Sequence, residues 1–152
     1  SKTYGMTGFR IGFAVAPSRV IQALQRLQSH LSGNVCTFAQ YGALAALDLP
    51  NEILNEHRRQ YARRRDRTFH MISELFDCQK PQGAFYLLPA IARYADRFTS
   101  GTALAEFLLE QAHVAVVPGE VFFAPGHVRI SFATSGDRME EGIRRMRKVL
   151  TS

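Results

Sequence analysis

The sequence predicts an α/β chain: a short strand and helix, then an α+β domain in which helices pack on a small mixed sheet. Three observations predict it. Apolar residues recur at helical spacing in long stretches. Short apolar runs closed by Pro or Gly separate them, and one late stretch alternates polar and apolar in the manner of a half-buried strand. At 152 residues, with 46% hydrophobic and 21% charged, the chain has the length and composition to bury a core.

The opening stretch, SKTYGMTGFRIGF, sets an amine, Lys2, and a guanidinium, Arg10, on either side of a turn that holds Gly5 and Gly8. Ile11–Gly–Phe–Ala–Val–Ala16 is a short apolar run ended by Pro17-Ser18 and is expected to be a buried strand. A helix follows, with Ser18 as its expected cap and Val20, Ile21, Leu24, Leu27 and Leu31 at helical spacing up to Ser32-Gly33. Residues 37–47 are rich in alanine and stop before Pro50, which predicts a tightly packed helix. The next helix is expected from about Asn51 to Phe76, with Leu54, Tyr61, Phe69, Ile72 and Phe76 as its buried stripe.

Thr102 to Ala112 reads as a helix through Leu104, Phe107 and Leu108, and Val114–Val117 as a short strand that Pro118-Gly119 turns into Val121-Phe122-Phe123. In His127–Phe132, Val128, Ile130 and Phe132 should face the core while His127, Arg129 and Ser131 share the other face. The last helix carries Met139, Ile143, Met146 and Leu150 as its stripe, with Ser135 or Asp137 as cap and Glu140 completing a capping box with Asp137. Its basic residues gather toward the C-terminal end, where they suit the helix dipole.

Charge and cysteines exclude more than they assign. The chain carries 19 basic and 13 acidic residues, a net +6. Six of the arginines fall between 58 and 67, on what reads as the solvated face of a helix. Neither aromatic interleaving nor a docking motif accompanies them, so no nucleic-acid partner is expected. Apolar stretches are too short and interrupted to span a membrane, and the start lacks the layout of a signal peptide. Cys36 and Cys78 lack CxxC spacing and are expected as buried thiols in a reducing compartment, hence a cytoplasmic protein. His30, His57, His70, His113 and His127 show no metal-ligand spacing, and no metal site is predicted.

The chemistry rests on Lys2, Arg10 and Arg129. A lysine forms a Schiff base with an aldehyde cofactor, because its pKa falls readily in a pocket. An arginine holds a phosphate through parallel hydrogen bonds. Pyridoxal phosphate carries both groups on neighbouring ring positions, and Lys2 and Arg10 stand 10 − 2 = 8 residues apart across a glycine-bearing turn. Arg129, on a strand, offers the paired N–H donors that grip a carboxylate.

The wording Ser1-Lys2, Tyr4 and Met6-Thr7-Gly8-Phe9-Arg10-Ile11-Gly12 resembles the cofactor-lysine segment of fold-type I aminotransferases (class I/II, aspartate aminotransferase-like). Pro81-Gln82-Gly83-Ala84-Phe85-Tyr86 resembles a strand of that family's small domain, Val114–Gly119 its VAVVPG segment, and Gly126–Ala133 its G-x-x-R strand. Nearly the whole chain is covered. The resemblance implies that Lys2 binds pyridoxal phosphate covalently, that Arg10 contacts its phosphate, and that Arg129 binds the substrate α-carboxylate. Residues 1–33 would complete a large cofactor-binding domain and 34–152 form the small domain. The reaction implied is ping-pong exchange of an amino group between an amino acid and a 2-oxo acid, in a full-length homodimer. The chain would be a C-terminal part of that protein, inactive in isolation, since the acidic partner of the pyridine nitrogen lies upstream in the family. Two other readings are an aminotransferase-like effector domain of a DNA-binding regulator, and a basic binding module acting through the helix of Arg58 to Arg67.

Overall fold

A computed structural model describes residues 1–152, which divide into two compact units, Ser1–His57 and Arg58–Ser152. The helices are α1 (Ser18–Leu31), α2 (Thr37–Leu47), α3 (Asn51–Ser73), α4 (Gly101–Phe107) and α5 (Gly136–Leu150), and the strands β1 (Tyr86–Leu87), β2 (Val117–Pro118) and β3 (Val128–Ser131). No helix is long and apolar enough to cross a membrane.

The first unit is helical. Residues 11–16 do not form the expected strand: no strand lies within Ser1–His57 to pair with them, and an unpaired extended segment leaves its ladder donors and acceptors to solvent. Phe13 and Val15 are accordingly 87% and 89% exposed. Helix α1 has the predicted span, but Pro17 is the residue that precedes it and Ser18 lies inside it, where the Ser18 hydroxyl accepts from Gln22 Nε2 (3.3 Å). Its apolar stripe is present and uncovered within this chain, with Leu31 74% exposed. Helix α2 buries Ala39 and Ala46, while Phe38, Tyr41, Leu44 and Leu47 are exposed, so it is packed along one narrow line rather than tightly all round. Cys36 is exposed rather than buried and Cys78 half-buried; both are free thiols.

The second unit holds the core. Helix α3 ends at Ser73, and Leu75 and Phe76 donate their backbone N–H groups to Ile72 O (3.0 and 2.8 Å) in a closing turn that drives Phe76 inward. Phe76 and Ile72 are fully buried, whereas Tyr61 stays on the surface. Asp66 accepts from Arg65 (2.7 Å) and lies 2.9 Å from the Lys80 ammonium, and those hydrogen bonds hold its carboxyl at about 2. Arg67 pairs with Glu140. Charges of this helix are thus engaged within the chain.

The three strands lie in the order β1-β3-β2, and both pairings are antiparallel, with Tyr86 opposite Ser131, Leu87 opposite Ile130, and Val117 opposite Arg129. The expected mixed sheet is therefore antiparallel. Alternation along β3 is as predicted: Val128, Ile130 and Phe132 are buried, and they join Ile143, Met146 and Leu150 of α5 in one hydrophobic cluster. No side chain caps α5, so the Asp137–Glu140 capping box does not form. Arg97 donates instead to its other end, to Leu150 O (2.8 Å) and Val149 O (3.2 Å), where the dipole favours a cation. The helix expected over Thr102–Ala112 starts one residue earlier and widens over Leu108–Ala112 into a π turn.

Ser100 supplies the N-cap that the sequence reading did not assign, its Oγ accepting from Ala103 N (3.1 Å). Ser100→Ala is expected to cost about 1 kcal/mol, read as a lower urea midpoint at unchanged slope.

Candidate active site

The lysine and the first arginine stand on one loop of the first unit. Met6 N donates to Ser1 O (2.8 Å) and Gly5 N to Lys2 O (3.3 Å), closing a turn in which Gly5 takes φ +65°, a conformation that glycine adopts without steric cost. A 3₁₀ turn, Thr7–Phe9, follows, and Arg10 ends it in the left-handed region at φ 53°. One Arg10 nitrogen, Nη1, donates to Thr7 O (3.0 Å), which folds the side chain back over its own turn and leaves its other N–H groups for a ligand. Lys2 and Arg10 are both exposed.

What holds this loop is apolar. Met6 is buried, and a Cβ on Gly42 of α2 would stand 2.9 Å from the Phe9 ring and 3.5 Å from Met6 Cε. The absence of a side chain at Gly42 therefore lets the loop settle on α2 directly beside Arg10. A cavity of about 760 Å³ lies between α1, α2 and the loop. It is lined by Ser1 and Tyr4 together with Ile11, Phe13, Leu44 and Leu47, but not by Lys2 or Arg10.

The second arginine stands in the other unit. Strand alternation puts Arg129 on the face of β3 away from the core, half-buried. Its guanidinium carbon lies 4.3 Å from the centre of the Tyr86 ring and 4.2 Å from that of Phe122. Both are cation–π distances. Tyr86 reaches it diagonally across the β1–β3 pairing, whose register sets Tyr86 opposite Ser131, two residues along from Arg129. Phe122 comes from a 3₁₀ turn, Gly119–Phe122, that follows β2. Arg129 takes part in none of the chain's ion pairs. An arginine fixed on its faces by aromatic rings and unpaired at its edges presents its donors to a planar anion.

Lys2 and Arg10 thus share one loop, and Arg129 belongs to a separate unit with its own partners. Sequence reasoning gave Tyr86 and Phe122 no role at the site. A signal existed in the alternation of the strands, which sets Tyr86 on the Arg129 face once the register is known. No pattern announces Phe122, because a 3₁₀ turn rather than a strand aims it. His127, given no role, sets its ring Nδ1 3.0 Å from Pro125 O of its own loop.

The sequence profile of the family described as "Aminotransferase class I and II" matches residues 1–146. A probable aspartate/prephenate aminotransferase of Aquifex aeolicus is 47% identical over 154 residues, which cover 99% of this chain and 39% of that protein. An aspartate aminotransferase of Bacillus subtilis is 41% identical, covering 97% of this chain and 39% of that protein. Among solved structures, an aromatic aminotransferase from Pyrococcus horikoshii superposes with a TM-score of 0.87 at 38% identity, over 98% of this chain and 40% of its own. The chain spans about two-fifths of the length of these relatives. A profile match over all but the last residues, and a shared backbone at more than a third identity, establish that the chain belongs to the class I and II aminotransferase family.

Proposed function

We propose that the chain is the C-terminal part of a pyridoxal-phosphate-dependent aminotransferase that moves an amino group between an amino acid and a 2-oxo acid. Residues 1–33 are its contribution to the large cofactor-binding domain and residues 34–152 its small domain. The observation that carries the reading is Arg129, a strand guanidinium held between Tyr86 and Phe122 with no carboxylate of the chain as partner.

The donor set fits the cofactor: Lys2 supplies the amine for its aldehyde, and Arg10, with one nitrogen engaged on Thr7 O, keeps further N–H groups for its phosphate. Bound there, the cofactor supplies an electron-withdrawing ring that acidifies the substrate α-carbon. Lys2 would anchor it at rest, and Lys2 Nζ would then take the proton from the α-carbon in the amino-acid half of the exchange and give one to the α-carbon in the 2-oxo-acid half. Arg10 fixes the phosphate end. Arg129 grips the α-carboxylate through two parallel hydrogen bonds and so fixes which bond at the α-carbon is presented for cleavage, an orientation worth a large share of the barrier. From the resemblance, the complete protein is a homodimer, and the chain's two free thiols support a reducing, cytoplasmic setting.

The test is Arg129→Lys in the complete, cofactor-loaded protein. Lysine keeps the charge and loses the paired planar donors. Amino-acid kcat/KM is expected to fall about 100-fold, within the 2–5 kcal/mol lost when one partner of a buried hydrogen-bonded charge pair is removed, with the cofactor's absorbance unchanged. An undiminished kcat/KM would remove Arg129 from the site.

A further inference from the structure

We propose that Glu120 is a positioning residue of the carboxylate site, its side chain locking the turn that lays Phe122 against Arg129. This rests on the reading of Arg129 as the substrate's carboxylate grip.

Glu120 Oε1 accepts from Gly101 N at the start of α4 (2.9 Å) and, at 3.5 Å, from Gly126 N just ahead of β3; its Oε2 lies 3.5 Å from Thr102 Oγ1. One carboxylate thereby spans the ends of two elements, and the 3₁₀ turn that carries it is pinned between them. Backbone bonds close the same turn: Gly119 N donates to His127 O (2.8 Å), Phe123 N to Glu120 O (3.1 Å) and Ala124 N to Gly119 O (3.0 Å).

There is no slack around it. A Cβ on Gly101 would lie 2.1 Å from His127 O and 2.7 Å from Glu120 Oε2, and one on Gly119 would lie 2.2 Å from Ala124 O. Both glycines are needed to let α4, the turn and β3 approach this closely. Hydrogen bonds from its own N–H and that of Gly101 hold the Glu120 carboxyl below the usual carboxylate range.

Phe122 is two residues beyond Glu120 and is the last residue of the pinned turn. Its ring is otherwise on the surface, 42% exposed, so the core does not hold it in place. Without the Glu120 carboxylate the turn loses its tie to α4, Phe122 is released from the guanidinium, and Arg129 keeps only Tyr86. Its donors then sample planes in which a carboxylate meets one N–H rather than two. Arg129 carries this effect, since Glu120 itself bonds backbone groups and a hydroxyl of the chain.

The complete, cofactor-loaded protein tests this through the ratio of kcat/KM for an amino acid to kcat/KM for the matching primary amine, which lacks the carboxylate. Glu120→Ala is expected to lower that ratio about tenfold, the size of one partly desolvated cation–π contact. Glu120→Gln, which keeps an acceptor for Gly101 N, should restore most of it. Phe122→Leu removes the ring without touching the lock and should lower the ratio by the same tenfold, which keeps a readout where Glu120→Ala fails to fold. Arg129→Lys is the control, and its ratio should collapse furthest. If Arg129→Lys leaves the ratio intact, the carboxylate reading of Arg129 is overturned. If Arg129→Lys collapses it while Phe122→Leu leaves it unchanged, or Glu120→Ala lowers both efficiencies equally, the positioning role of Glu120 is overturned alone.

Discussion

Replacing Lys2 by alanine in the complete, cofactor-loaded protein is expected to lower amino-group transfer by about 10⁴-fold or more, the upper end of what a general acid–base group supplies. On the proposed function two roles leave together: the covalent hold on the cofactor, and the amine that carries the α-carbon proton. Lys2→Arg should be equally inactive although it preserves the charge, because a guanidinium stays protonated at any working pH and cannot accept that proton. Neither variant should unfold the protein. Lys2 is exposed, and its turn is closed by the backbone bonds Met6 N to Ser1 O and Gly5 N to Lys2 O, which any side chain leaves in place. Activity and the cofactor's lysine-dependent absorbance are therefore read against an unchanged thermal midpoint of the cofactor-free protein. Turnover of Lys2→Ala within tenfold of the parent would move the covalent anchor to another residue.

The helices and the alternation of β3 were legible in the sequence, the extents of the other strands were not, and the difference is one of range. Helix α1 closes its hydrogen bonds within four residues, so Val20, Ile21, Leu24, Leu27 and Leu31 announce it whether or not anything covers them. Helix α5 was readable from Met139, Ile143, Met146 and Leu150 for the same reason. A strand needs a partner that its own residues do not name. Residues 11–16 have the composition of a buried strand and remain unpaired, whereas β1, only Tyr86 and Leu87, exists because β3 lies beside it. Caps failed where competing groups took over: the Ser18 hydroxyl meets Gln22 instead of a free backbone N–H, and Ser100 caps α4 unannounced.

The site divides along the same line. Lys2, Arg10 and Arg129 stand out in the sequence because each is a chemistry-bearing residue in a distinctive local stretch, and the roles proposed for them rest on the resemblance. Tyr86 and Phe122 meet Arg129 through a cross-strand diagonal and a 3₁₀ turn, and Glu120 in that turn accepts from Gly101 N at the start of α4, all set by segments far apart in the chain. A guanidinium can be foreseen from sequence; the rings that orient it depend on register.

Phe76→Ala is expected to destabilise the 152-residue chain by about 3–5 kcal/mol, the range for emptying a buried phenylalanine site. That is a large share of the roughly 5–15 kcal/mol that holds a domain folded. Phe76 has no exposed surface, and its ring meets that of Tyr94 edge-on at 5.3 Å. Tyr94 is itself tied by its hydroxyl to Leu75 O (3.1 Å), so it cannot swing into the space left behind. Backbone bonds to Ile72 O fix Leu75 and Phe76 at the end of α3, which denies the cavity a second route to collapse. The matched comparison is Leu31→Ala on α1. Leu31 is as apolar as a core residue but 74% exposed, and the substitution should change stability by no more than about 0.5 kcal/mol in this chain. Urea unfolding followed by circular dichroism measures both. A large loss for Phe76→Ala beside a negligible one for Leu31→Ala would place the stability of the chain in the Arg58–Ser152 unit. Equal losses would mean that α1 buries its apolar face in solution, and that the first unit has a core of its own.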